Sequence, residues 1–292
     1  MASLAQQKDA NCYQLNIGKG EDRYIMSEYL YAVFDGHGGK MVSNELAKEI
    51  VNFLPDLNQF YQFNNNNEIT NAIINAFKRA DEHVIKLIEN NKNCGSTCAM
   101  VIKLDTKIIM VNLGDSDVIL FVNGQKQIEM PKHIYSNPDE KDRIDKLKEL
   151  KQIYIKPGYC PKVLSSKDIT MIISNYIGIR SSDEELVPTK SFGHTNWKKK
   201  NLMDVHPNIS IVDIEERNTY ECFIFSDGVS DMLVNNDELI PLMQERNQAQ
   251  NIVEFAKSRW EQEWNYKMKG YREMANQKIN GIDDITAIYI RF

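Results

Sequence analysis

Short apolar runs, rich in β-branched and aromatic residues, recur along the chain, and four of them stop or start at an acidic residue. Tyr31-Ala32-Val33-Phe34 leads into Asp35, Ile108 to Leu113 into Gly114-Asp115, and Cys222 to Phe225 into Ser226-Asp227, while Asp283-Asp284 opens the run Ile285 to Ile290. Runs of this length and make-up predict strands. Cys98 to Leu104, Lys107 to Gly114 and Val118 to Ile128 follow one another with turn residues between, Asn123-Gly124 among them, and predict an antiparallel meander.

Elsewhere the period changes. Ile69, Ile73, Phe77, Ala80, Val84 and Leu87 recur three and four apart, the spacing of a long helix with one buried stripe; the asparagine run from Asn64 to Asn67 before it reads as a loop tip. Leu46, Ile50 and Leu54 predict a similar helix after Asp35. Near Asn236, with Asp237 and Glu238 in the first turn, a capped helix is expected. A further helix should carry Ile252, Phe255, Ala256, Trp260 and Trp264, whose aromatics at helical spacing suit a core better than a binding platform. From about 138 to 188 the pattern loosens around Pro157-Gly158 and Ser165-Ser166, which reads as a mobile, flap-like insertion before strand character returns at Ile209 to Ile214. Blocks of strands and blocks of helices predict an α+β fold, a central antiparallel β-sandwich with helix pairs outside it, in a single domain spanning 1–292.

Composition narrows the function classes. The chain is 42% hydrophobic and 26% charged, and no apolar run reaches the roughly 18 residues of a membrane helix, so no membrane partner is expected. The start, Met1 to Gln14, has neither a basic-then-apolar leader nor a glycine after Met1, arguing against secretion and myristoylation. A net charge of -6 disfavours a nucleic-acid partner, and Lys198-Lys199-Lys200 reads most simply as a solvated loop, with contact to an acidic partner as the alternative. Five dispersed cysteines, Cys12, Cys94, Cys98, Cys160 and Cys222, fit reduced thiols in the cytoplasm or nucleus. Cys94 and Cys98 lack the second pair a zinc site needs and read as small buried residues.

Carboxylates at strand ends can be held rigidly around one site, and the glycines beside Asp35, Asp115 and Asp227 let the chain turn sharply there. Oxygen donors without thiolates or paired imidazoles select Mg²⁺ or Mn²⁺, and several converging carboxylates call for more than one ion. Two such ions can activate a shared water for in-line attack on phosphorus. The leaving alkoxide then needs a proton. Among the five histidines, His37, two residues after Asp35 and flanked by glycines, is the one so placed; His83, His133, His194 and His206 read as surface or hydrogen-bonded filler. Nucleotide-binding loops of the GxxxxGK[ST] or GxGxxG type are absent from the sequence.

Six segments, YAVFDGHGG, GSTCAMVIKL, VNLGDSDVILFVNG, TKSFGHTNWK, FIFSDGVSDML and DDITAIYI, together with Gly20-Glu21-Asp22-Arg23, fall in the order found in the type 2C metal-dependent protein serine/threonine phosphatases, and the chain resembles that family over nearly its whole length. The resemblance implies a pair of Mg²⁺ or Mn²⁺ ions held by Asp22, Asp35, Asp227 and Asp283 with the Gly36 carbonyl, Glu21 holding metal-bound water, and His37 as general acid. Asp115 and Asp231 would help to hold a third, weaker ion. It further implies a monomer acting on phosphorylated protein substrates, phosphoserine and phosphothreonine being hydrolysed without a phosphoenzyme.

The sequence departs from the family pattern in places. The arginine expected shortly before the acidic pair is missing, and only Lys19 stands in the stretch from Gln14, leaving a point charge in place of a bidentate fork for substrate phosphate. The usual GDSR reads Gly114-Asp115-Ser116-Asp117, the usual SFGD reads Ser191-Phe192-Gly193-His194, and Lys132 replaces the aspartate before His133. A phosphatase is the first expectation. A catalytically weak or inactive pseudophosphatase, kept as a binding or regulatory module, is the alternative, and a calcium-binding sandwich of another family explains the acidic turns but not His37 or the ordered segments.

Overall fold

The computed structural model describes residues 2–7, 9–88, 93–149, 152–180, 184–267 and 274–292. Two antiparallel sheets face each other. One runs in the order Ala2–Gln7, Ala10–Leu15, Ile285–Arg291, Tyr220–Phe225, Asp117–Val122, Gln125–Glu129, and the other Asn208–Asp213, Lys107–Leu113, Cys98–Lys103, Leu30–Phe34, Arg23–Met26.

The strands read as unbroken apolar runs because both faces of each central strand are covered. In Leu30–Phe34, Tyr31 and Val33 pack between the sheets, whereas Leu30, Ala32 and Phe34 pack outward under helices; Tyr220–Phe225 divides likewise, with Cys222 and Ile224 inward and Phe223 and Phe225 outward. Burying both sets removes several hundred Å² of apolar surface from water, worth about 25 cal/mol for each Å². The helices Met41–Phe53 and Asn66–Leu87 cover one sheet, and Gln248–Glu261 covers the other. Asn65 caps the long helix, its side chain accepting from Glu68 N–H, so the asparagine run is half cap and half first turn. Leu87 is 45% exposed and Ile88 takes its place on the buried stripe. Leu54 lies one residue beyond its helix but stays buried. Asn235, Asp237 and Glu238 form the expected capped turn before Leu239–Met243.

Other sequence expectations are corrected. The predicted meander is broken: Cys98–Lys103 and Lys107–Leu113 pair in one sheet, whereas Asp117–Val122 and Gln125–Glu129 pair in the other, about an Asn123-Gly124 turn with both residues at positive φ. The chain changes sheets at Gly114-Asp115-Ser116. Trp264 lies beyond the last long helix, in the strand Trp264–Tyr266, although it and Trp260 are buried as core.

The insertion is built, not irregular. It holds the helix Pro138–Glu149 and a long hairpin of Ile153–Val163 on Asp168–Ile179, extended by Trp264–Tyr266 and Met274–Gln277 from much later in the chain. Residues 150–151 and 181–183 of the expected flap lie outside the described residues. Among the described residues no helix is long and apolar enough to cross a membrane.

Candidate metal centre

All four strand-end positions meet at one end of the sandwich. Asp35 follows Leu30–Phe34 and Asp115 follows Lys107–Leu113, two strands that run parallel on either side of Cys98–Lys103. On the facing sheet Asp227 opens the short helix after Tyr220–Phe225, and Asp283-Asp284 precede Ile285–Arg291. Each sheet thus contributes carboxylates to the same end.

Adjacent Asp283 and Asp284 have different work. Asp284 is buried and accepts from Gly18 N–H at 2.9 Å and Glu21 N–H at 2.7 Å, clamping the Gly18–Asp22 loop to the last strand. Asp283 accepts from the Asp284 N–H at 2.8 Å and faces the cleft. Asp22 is 2% exposed and accepts from Thr286 Oγ at 2.7 Å. Asp35 is tied through its backbone to Thr97: its carbonyl accepts from Thr97 N–H at 2.9 Å and its N–H donates to Thr97 Oγ at 3.2 Å. Gly36 has no room for a side chain, since a Cβ there would lie 2.6 Å from the Glu21 carbonyl oxygen and 2.7 Å from Ser43 Oγ. Glycine at this position therefore lets the acidic loop of Glu21 close against the turn after Asp35.

Two clefts of about 790 and 440 Å³ meet here, sharing Asp115, Tyr176, Val187, Asp227 and Asp283 on their walls. The smaller also carries Lys19, Glu21, Asp35, Gly36 and His37, the larger Asp231. Asp22 lies beneath them. Burial, and then the neighbouring charges of Asp227, Asp22, Asp115 and Asp283, push Asp35 well above the carboxylate range. Asp231 is raised by burial and by Asp227, and Asp227 by burial and by Asp115. Asp283 is the most exposed of the set, yet crowding by protein atoms and the charge of Asp227 raise it too.

Among the described residues, no three His, Cys, Asp or Glu side chains converge closely enough to hold an ion as they stand. Their chemistry nevertheless fits hard divalent cations: the donors are oxygens, all but Asp22 line common clefts, and neighbouring carboxylates raise the proton affinity of Asp35, Asp227 and Asp283, an effect a cation reverses.

Residues 3–267 match the model of the protein phosphatase 2C family. The chain belongs to that family. It is 27% identical over 227 residues to probable protein phosphatase 2C 28 of Arabidopsis thaliana, covering 77% of this chain and 57% of that one. Probable protein phosphatase 2C 11 of the same plant is 32% identical over 116 residues, 39% of this chain and 30% of that one, so the chain spans well under two thirds of these relatives. A serine-threonine phosphatase 2C from Toxoplasma gondii has the same fold, with a TM-score of 0.68 at 19% identity over 100% of this chain and 98% of that one. The serine/threonine phosphatase of Mycobacterium tuberculosis matches at 0.56 and 12% identity over 99% and 96%.

Within this protein phosphatase 2C fold, three positions escape a reading of the sequence. His194, read there as filler, is 1% exposed and stacks on His37. The three-strand ribbon of Gly36–His37, Gly95–Ser96 and Phe192–Gly193 brings them together, and only that pairing could have flagged it. Asp284 is hidden by its neighbour, and Tyr176 reaches both clefts from the insertion hairpin. Lys198 is no solvated loop residue: it lies on the helix Thr195–Lys199, paired with buried Asp81 at 3.1 Å. The described cysteines carry no disulfide, and Cys94 and Cys98 are fully buried.

Proposed function

We propose that the chain is a Mg²⁺- or Mn²⁺-dependent phosphatase that hydrolyses phosphoserine and phosphothreonine in proteins. The observation that carries this reading is the meeting of carboxylates from both sheets at one pair of clefts, in a chain of the protein phosphatase 2C family. Asp22, Asp35, Asp227 and Asp283, with the Gly36 carbonyl, would hold the ions, and Glu21 would orient water beside them. Bound there, the ions would supply a water of lowered pKa as nucleophile and offset the charge of the phosphoryl group.

The chain's own residues do the rest. Lys19, exposed on the wall of the smaller cleft, meets the incoming phosphate as a point charge. His37 Nε2 is buried and has no hydrogen-bond partner among the described residues, leaving it available to pass a proton to the leaving alkoxide. Asp284 and Thr286 keep the acidic loop in register with the last strand. Tyr176 and Val187, from the insertion, line both clefts where these adjoin.

A second reading, a weak or inactive phosphatase serving as a binding module, is favoured by one observation: burial holds His37 neutral, its pKa lowered to about 4, so a proton donor must be charged at a cost. Hydrolysis of para-nitrophenyl phosphate and a phosphothreonine peptide, with and without millimolar Mn²⁺ and beside Asp227→Ala, separates the two. Metal-dependent turnover lost in the variant supports the enzyme. A protein that binds Mn²⁺ calorimetrically yet turns over neither substrate sinks that reading and leaves the binding module.

A further inference from the structure

One ammonium stands inside the carboxylate cluster. Lys132 Nζ lies 2.6 Å from Asp117 Oδ2 and donates to Ser230 Oγ at 3.0 Å. Asp117 opens its strand two residues after Asp115, and Ser230 ends the helix Asp227–Ser230, immediately before Asp231. A group bonded to both is pinned between the Asp115 turn and the helix that carries Asp227 and Asp231. Lys132, Asp115 and Asp231 also line the larger cleft together.

The electrostatics follow the geometry. Burial opposes charging of Lys132, but Asp117, then Asp115 and Asp231, outweigh it and hold the side chain as an ammonium. In return Lys132 favours the charged form of Asp115, Asp117, Asp227 and Asp231. No cation figures among the leading influences on Asp22 or Asp35, and the one acting on Asp283 is Lys19. The site therefore has two halves: one holds an ammonium paired within it, and the other has carboxylates with only the exposed Lys19 on its wall. Asp117 and Lys132, two departures from the family pattern, are each other's partners.

We propose that the Lys132 ammonium, paired with Asp117 beside Asp115 and Asp231, is a resident cation that disfavours a third divalent ion at those two carboxylates, which confines ion binding to the half formed by Asp22, Asp35, Asp227 and Asp283. A divalent ion held by Asp115 and Asp231 would be repelled by an ammonium fixed beside them. Lysine differs from an ion in being covalently fixed and independent of metal supply, so the charge of this wing stays constant while the other wing loads and unloads. This inference rests on the metallophosphatase reading above.

The test is Mn²⁺ stoichiometry, by equilibrium dialysis and by the electron paramagnetic resonance signal of free Mn²⁺, on the full chain. Wild type and Lys132→Arg should each bind two equivalents up to millimolar Mn²⁺, and Lys132→Met should gain a third, weaker one. Since Lys132→Met leaves Asp117 buried without a partner, the double variant Lys132→Met/Asp117→Asn is measured beside it, with circular dichroism to confirm the fold; it should gain the same equivalent. A third equivalent in wild type overturns the inference. So does a folded double variant that still binds only two, with the two-ion centre left standing. Wild type that binds no Mn²⁺ overturns the metal centre itself, and this inference with it.

Discussion

The imidazole rings of His37 and His194 lie stacked, 4.7 Å between centroids and 22° between planes. They are far apart in the chain and meet across Gly95, where a Cβ would fall 2.1 Å from His194 Nε2. Burial keeps both uncharged, with His37 adding to the effect on His194. A proton arriving on His37 would repel a charged His194, so the pair can carry at most one. His37→Ala is expected to slow a phosphoserine peptide at least about tenfold more than para-nitrophenyl phosphate, whose leaving group needs no proton. His194→Ala should show a smaller bias of the same sign. Equal slowing of both substrates would remove His37 from the proton-donor role.

Gly228 presses on the last strand: a Cβ there would lie 2.1 Å from the Asp284 carbonyl oxygen, and its own carbonyl accepts from Trp260 Nε1 at 2.8 Å. Backbone cannot yield as a side-chain tip can, so Gly228→Ala should cost about 2 kcal/mol or more and weaken metal binding together. Asp227→Ala removes a carboxyl raised by its surroundings. In chelator it should melt at the same temperature as wild type or higher, while metal-dependent turnover falls to background. Thermal melts with and without Mn²⁺ check both; a strongly destabilised Asp227→Ala in chelator would contradict the account of carboxylate crowding.

Lys19 is the exposed cation on the smaller cleft. Losing one charge-assisted contact costs about 1.5 kcal/mol, so Lys19→Ala should raise KM for a phosphopeptide about tenfold and leave kcat nearly unchanged. Lys19→Arg should restore or improve KM by offering a fork to phosphate. A drop in kcat with unaltered KM would place Lys19 in the chemical step instead.

His133 is 1% exposed and its Nδ1 accepts from Gly114 N–H at 3.1 Å, supporting the turn that carries Asp115. Burial, and then Lys190, lower its pKa to about 4. The unfolded chain takes up a proton near pH 6.5 that the folded chain refuses, so this histidine's contribution is complete above 6.5 and is lost as pH falls towards 4. The loss amounts to up to about 3 kcal/mol. Raised aspartates act in the opposite sense over part of this range, so the comparison with His133→Asn, which keeps an acceptor for Gly114, isolates the effect. Melting temperatures from pH 7 to 4.5 should fall more steeply for wild type than for the variant; parallel curves would refute it.

The strand-end aspartates are legible in the sequence because burial of both strand faces makes each run continuously apolar and its polar terminus conspicuous. Helix faces are legible for the same reason, through Ile69, Ile73 and Phe77. Pairings between distant segments are not. Nothing local tells that the run after Ser116 joins the opposite sheet, that Phe192-Gly193 lies beside Gly95, or that Lys132 answers Asp117. The long hairpin of the insertion is missed because its faces mix Ile and Met with Lys, Ser and Asn, and Pro157 and Gly158 sit within its first strand as turn residues would.

The strand Ile285–Arg291 lies between Ala10–Leu15 and Tyr220–Phe225, and Thr286 and Asp284 hold Asp22 and the loop before it. Contacts of such long sequence separation close late in folding. On the ribosome, the residues that follow Asp35 and Asp227 can be made and even paired while the acidic loop still has nothing to clasp. The carboxylate cluster is consequently completed by the strand Ile285–Arg291 as it slides into the sheet, and a nascent chain short of residue 284 carries Asp22, Asp35 and Asp227 without the means to gather them.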